Sequence, residues 1–212
     1  MALDAEAALP QKREVSFLLA QADLRGGNFR CNQSSRPRRP LSLGVSTQDM
    51  HALLKALTDR SWIVEPMLGP SLMPSSITER YPMLEGGVLE VLSQFSRCSR
   101  PDEQSWLLAL SDFQAVSSQG FRWNEYEIMA LESAANQQER DSITRFWDEH
   151  FPFLLAVQAD YDYLAIRLSD GSVMHGSAPE WELPSVLAPS FEAFVEYVST
   201  AVQVPYPLSV VL

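Results

Sequence analysis

The stretch DYLAIRLSDGSVMH, Asp162 to His175, decides the fold. Tyr163 to Leu168 alternates, with Leu164, Ile166 and Leu168 on one side and Tyr163, Ala165 and Arg167 on the other, which is the period of a β-strand. Asp170-Gly171 follows as a turn pair, because glycine accepts the positive φ that such a turn needs and aspartate tolerates it. Val173 to His175 is then the returning strand, and the segment reads as an antiparallel hairpin.

The chain on either side of this hairpin fits the same scheme. Upstream, Phe153 to Gln158 is an apolar strand, and Asn124 to His150 is helical in two parts. The second part sets Ile143, Phe146, Trp147 and His150 on one face, with Pro152 marking its end. Trp106 to Phe113 (WLLALSDF) reads as a short buried strand, with a helix as the alternative. Before it, a helix after Gly86-Gly87 puts Val88, Val91, Leu92 and Phe95 on one face and stops ahead of Pro101. Thr47 or Ser46 caps a helix carrying Met50, Leu53, Leu54 and Leu57 at i, i+3, i+4 and i+7. Trp62 to Val64 is a short strand, and Pro66, Gly69, Pro70 and Pro74 break the next segment into a long connection. Downstream of the hairpin, a loop rich in Pro and Glu leads to Ser190, which caps a helix with Phe191, Phe194, Val195 and Val198 as its apolar stripe. The expected fold is α+β: an antiparallel β-sheet meander flanked by helices on one face.

The 212 residues are 46% apolar and 20% charged, enough to bury a core. The net charge of −11 is divided unevenly. Residues 1–40 carry seven basic and four acidic side chains, whereas Asp148 to Glu196 holds nine acidic residues and only one basic one, Arg167. Domain boundaries follow from this shift: a basic arm and linker over 1–44, one domain over 45–204, and a C-terminal tail over 205–212. Val15 to Leu24 is a candidate short helix within the arm, and Asn32 to Pro40 (NQSSRPRRP) a linker. Arg36, Arg38 and Arg39 have no interleaved aromatic residues for stacking bases, and the acidic body repels phosphate, so no nucleic-acid partner is expected. There is no long uncharged apolar run and no charged-then-apolar leader pattern, so a cytoplasmic protein without a membrane partner is expected. Cys31 and Cys98 stand far apart and read as reduced thiols.

Catalytic signatures are missing: the sequence has no GxSxG elbow, HExxH, P-loop or GxGxxG. His51, His150 and His175 fall on separate elements and suggest no metal site, and no cofactor is expected. Two acidic groups stand out. Asp160 and Asp162, at i and i+2, point the same way if extended and would hold a cation or a basic side chain; otherwise they are turn residues. Glu180-Trp181-Glu182 is an aromatic residue between two acids beside Pro179 and Pro184; Trp181 is either an interface anchor or a plug under its own loop.

Phe151 to Val198 resembles the C-terminal half of the SUKH superfamily, which groups bacterial toxin-immunity proteins with a fungal cell-wall-synthesis regulator. The likeness rests on PFLLAV (Pro152 to Val157), an acidic turn, DYLAIRLSDGSV (Asp162 to Val173) and APSFEAFVEYV (Ala188 to Val198). WLLALSDF (Trp106 to Phe113) fits the strand upstream and extends the similarity over residues 106–198. The resemblance implies an α+β, non-enzymatic module that neutralises a toxin by binding it. The leading expectation is therefore an immunity-type protein that meets a basic protein partner through Asp160, Asp162, Glu180, Trp181 and Glu182. The alternatives are a regulator or scaffold in cell-wall or envelope synthesis, and a small metal-dependent hydrolase centred on Asp160, Asp162 and His175.

Overall fold

The structure, a computed structural model, describes residues 41–42, 47–69, 72–82, 84–85, 87–114, 121–158, 160–201 and 212, all within one compact unit spanning Arg38–Leu212. The expected arm helix, the linker, Cys31 and the tail before Leu212 lie outside the described residues. The fold is α+β. In chain order the elements are β1 (Leu41–Ser42), α1 (Thr47–Asp59), β2 (Ile63–Pro66), α2 (Ser75–Arg80), β3 (Leu84–Glu85), α3 (Gly87–Leu92), β4 (Phe95–Ser99) and β5 (Ser105–Leu107). Then come α4 (Leu110–Gln114), α5 (Glu125–Ser133), α6 (Gln137–Glu149), β6 (His150–Ala156), β7 (Asp162–Arg167), β8 (Val173–Gly176), β9 (Ser185–Ala188) and α7 (Phe191–Thr200). Seven strands form one antiparallel sheet in the order β2-β4-β5-β6-β7-β8-β9, while β1 and β3 pair in parallel as a separate ribbon.

The hairpin forms as its sequence predicts, with a longer turn. β7 pairs with β8 from Tyr163 opposite Gly176 to Ile166 opposite Val173. Gly171 takes a φ of 78°, and the Asp170 carboxylate accepts hydrogen bonds from the Ser172 backbone N–H at 3.0 Å and its hydroxyl at 2.7 Å. The Arg167 guanidinium, 2.6 Å away, holds the Asp170 carboxyl well below the usual carboxylate range.

Two aromatic layers fix the central strands. Phe153 meets Phe191 and Phe194 of α7 edge-on, at centroid distances of 5.2 and 5.5 Å. Tyr163 packs against Trp147 of α6 at 5.0 Å and Tyr126 of α5 at 6.3 Å. Every residue of β6 is buried, at odd and even positions alike, so cover at the centre of the sheet extends to both faces. Each large apolar side chain buried here contributes about 1.5–3 kcal/mol. Arg80 at the end of α2 ties two further helices together: it grips the buried Glu127 of α5 with two bonds of 2.7 and 2.8 Å and reaches Asp148 of α6 at 2.8 Å.

Several expectations need correction. The helix expected to run up to Pro101 ends at Leu92, and Phe95–Ser99 is a strand, with Cys98 paired to Val64 and Leu107. WLLALSDF divides into the end of β5 and most of α4. α6 gives way to β6 with no intervening loop, so His150 is a strand residue, and Pro152 sits beside a register shift in the sheet, where its missing N–H is tolerated. α2 lies where a long connection was expected, and β9 lies where only a loop was expected. Leu41–Ser42, assigned to the arm, forms β1, and the backbone oxygen of Leu212 accepts a 2.9 Å hydrogen bond from the Trp62 indole. Among the described residues, no helix is long and apolar enough to cross a membrane.

Gly176 faces the Tyr163 ring so closely that an added Cβ would overlap its edge. Gly176→Ala is therefore expected to cost about 1–3 kcal/mol by overpacking, read as a lower urea midpoint. An unchanged midpoint would show that the ring yields freely.

Candidate partner-binding surface

The loop between β8 and β9 carries Glu180, Trp181 and Glu182, and the turn before β7 carries Asp160. Two hydrogen bonds bind these segments side by side. The Ala178 N–H donates to the Asp160 carbonyl at 2.8 Å, and the Trp181 indole N–H donates to the Tyr161 carbonyl at 3.1 Å. A third bond fixes the loop from below, where the Tyr163 hydroxyl donates to the Trp181 carbonyl at 2.6 Å.

These contacts settle the two roles considered for Trp181. Its ring is 7% exposed and lies flat against Tyr126, with centroids 5.5 Å apart and planes inclined by 12°. It is the plug of its loop, and the expected exposed anchor is corrected accordingly. Amphipathic rings bury their area while needing one partner for the N–H, which Tyr161 supplies.

The aspartates also separate. Tyr161 between them has a φ of 52°, which breaks the extended run that would have aligned their side chains. Asp160 stays exposed, whereas Asp162 is 4% exposed and pairs with His175 Nε2 at 2.8 Å. Asp162 is thus corrected from a surface contact to half of a buried hydrogen-bonded pair. His175 also lines a cavity of about 250 Å³ with Ser177, Glu180, Leu183 and Ser185. Among the described residues, no group of three His, Cys, Asp or Glu side chains is arranged to hold a metal ion.

Glu180 is exposed and Glu182 half-buried. Burial holds the Glu182 carboxyl above the ordinary glutamate range, and the nearby charge of Glu139 adds to the shift. Its Oε1 is buried with no hydrogen-bond partner among the described residues. Sequence reasoning missed Glu139, whose recognisable signal was only structural: Asn136 caps α6, its Oδ1 accepting from the Glu139 N–H at 2.9 Å, and the Glu139 carboxylate accepts from the Ala135 N–H at 2.8 Å. The surface also presents apolar groups that were not singled out from sequence: Leu183 at 77% exposed, Val186 at 57% and Tyr161 at 40%.

His175→Ala leaves the buried Asp162 carboxyl without its 2.8 Å hydrogen-bond partner, and a loss of about 1–3 kcal/mol is expected in chemical denaturation. A loss below about 1 kcal/mol would mean that the pair is not a structural bond. For Glu182 the sign is opposite. A carboxyl raised on folding stabilises the protein below its unfolded pKa, and that contribution is lost as pH rises through the folded value. Glu182→Gln is expected to be the more stable protein at neutral pH, by no more than about 1 kcal/mol because the group is half open to water. The difference should vanish as pH falls below about 4.3, the ordinary glutamate value. A variant less stable than the parent at neutral pH would contradict this sign.

The chain matches no protein-family model, no curated protein and no solved structure.

Proposed function

We propose that this protein is a non-enzymatic, cytoplasmic binding module of the SUKH immunity type, which neutralises a basic toxin by covering it. The observation that carries the reading is uncompensated negative charge on a firmly held surface. From Leu168 to Leu212 the sequence has five acidic residues and no Lys or Arg. Asp160, Glu180, Glu182, Glu192 and Glu196 form no ion pair among the described residues, and Asp160 and Glu180 stand on loops hydrogen-bonded to each other. Such a field speeds the approach of a basic partner, and the exposed Leu183, Val186 and Tyr161 supply apolar area for the contact. An envelope-synthesis scaffold would use the same surface. A small metal-dependent hydrolase centred on Asp160, Asp162 and His175 is less well supported, because Asp160 does not join the buried Asp162–His175 pair and no three such side chains among the described residues are arranged to hold a metal ion.

The test is binding to a basic toxin domain encoded beside this gene, together with growth rescue of cells that express it. Rescue and tight capture are expected, with association slowed by salt. Asp160→Lys combined with Glu180→Lys should reduce the association rate at least about tenfold while leaving the fold intact, since both side chains are exposed. Binding that survives both substitutions, absence of capture, or stoichiometric bound metal with turnover would overturn the proposal.

A further inference from the structure

The two edges of the seven-stranded sheet are finished differently. At one edge, β2 carries the exposed Glu65, ends in Pro66, which has no N–H to offer, and shifts register between them. Charge, proline and irregular register are the usual means of closing a sheet edge to further strands. At the other edge, β9 (SVLA) has neither charge nor proline within it, and among the described residues it pairs only with β8. A register shift leaves Leu187 without a partner there, but Ser185 and Val186 continue the ladder opposite His175 and Met174. In a strand paired on one side, alternate N–H and C=O groups point outward with no ladder partner. Apolar area lies beside this free backbone: Val186 is 57% exposed and Leu183, just before the strand, 77%. The cavity of about 250 Å³ opens at the same end, with Leu183, Glu180 and Ser185 in its walls, and is of a size for one side chain. The charge around the edge has one sign. Glu180 and Glu182 precede β9, Glu192 follows it, and the chain has no Lys or Arg beyond Arg167.

We propose that β9 is a docking edge, on which an extended, Lys- or Arg-bearing segment of the protein partner adds to the sheet as a further strand. Its backbone bonds to the outward groups of Ser185 to Leu187, its apolar side chains cover Val186 and Leu183, and its cations face Glu180, Glu182 and Glu192. Backbone pairing supplies the attachment in such an addition, and side chains supply the choice of partner. The charge decides between occupants. A second copy pairing antiparallel along β9 would set Glu180 and Glu182 of each chain against Glu192 of the other, so like charge opposes self-association and favours a basic strand. The inference rests on the reading that the protein binds a basic partner, and it names the backbone edge that holds that partner.

The test uses the full chain without any toxin. The probe is the peptide acetyl-Lys-Val-Thr-Val-Lys-Val-Thr-amide, titrated at low salt and neutral pH and followed by amide NMR shifts and hydrogen exchange. Three analogues accompany it: one with glutamate in place of lysine, and two N-methylated at alternate residues, so that each lacks the N–H donors of one edge. Saturable shifts and slowed exchange are expected at the Ser185 to Leu187 amides. The glutamate peptide and one of the two N-methylated peptides should bind at least about tenfold more weakly than the parent, and the other N-methylated peptide about equally. Val186→Lys, which puts a charge on an exposed edge position, should weaken the parent peptide by a similar factor while retaining the folded spectrum. No binding at millimolar peptide, equal binding of both N-methylated forms, equal binding of the glutamate peptide, or changes centred away from β9 would overturn the proposal. The outcomes also separate it from the functional reading: toxin capture unaffected by Val186→Lys removes only the role of the edge, and strand addition without toxin capture removes only the immunity role.

Discussion

The placement of the Tyr163 ring is the constraint on which the conformation of the β8–β9 loop, and with it the proposed binding surface, depends. This side chain is fully buried in β7, wedged against Trp147 and Tyr126, with Gly176 as its neighbour on β8 and its hydroxyl bonded to the Trp181 carbonyl. A phenol buried this deeply must satisfy its O–H, and burial accordingly pushes its pKa well above the ordinary tyrosine value. The acceptor it uses belongs to the loop that carries Glu180 and Glu182. Core packing and loop conformation are therefore coupled: Gly176 lets the ring in, the hydroxyl holds the loop, and the loop lays Trp181 over Tyr126. A surface held in this way would have little freedom to lose on meeting the proposed partner, which would lower the entropic cost of association.

The acidic C-terminal half contains carboxylates of three physical kinds. Asp162 and Asp170 are engaged internally, by a hydrogen bond to His175 and by the Arg167 guanidinium, and serve the fold. Asp160 and Glu180 are exposed, and act at a distance through their charge. Glu182 lies between these classes, half-buried beside another carboxylate, and only there does the isolated protein pay for a charge it has not paired. Counting all of them as one patch overstates the surface, and a count of net charge along the chain cannot distinguish them.

How much of this was legible in the sequence depended on whether a signal was local. The β7–β8 hairpin and α7 were read correctly because alternation, Asp170-Gly171 and the Ser190 cap are all contained within a few residues; the Ser190 hydroxyl does accept from the Ala193 N–H at 3.1 Å. Phe95 was misassigned because it lies at helical spacing from Val88, Val91 and Leu92 and is buried in either conformation. β9 was missed because SVLA stands between Pro184 and Pro189, which read as loop punctuation yet are tolerated at the ends of an edge strand. Of the expected site residues, Asp160 and Glu180 are exposed as required. Asp162 and Trp181 were misjudged because their burial is determined by His175 and Tyr126, 13 and 55 positions away. Glu139 carried only the spacing of a helix cap, and nothing in that spacing reveals that it faces Glu182.

The distribution of cations distinguishes the last part of the chain from the rest of the domain. Upstream of the hairpin, Arg80, Arg97, Arg100 and Arg122 each pair with nearby acids, so cations are interspersed there even though residues 41–161 carry 17 acidic side chains against eight basic ones. Beyond Arg167 the chain has no Lys or Arg, and its one histidine, His175, is hydrogen-bonded to Asp162. The sheet order places β8 and β9 side by side at one edge, so the strands and loops that lack cations are also neighbours in space. Segregation in sequence thus becomes segregation in the fold. Ordinary solubility would be served equally well by acids interspersed with lysines. A field of one sign, mounted on loops held from beneath by a buried tyrosine, is the arrangement that electrostatic capture of an oppositely charged partner requires.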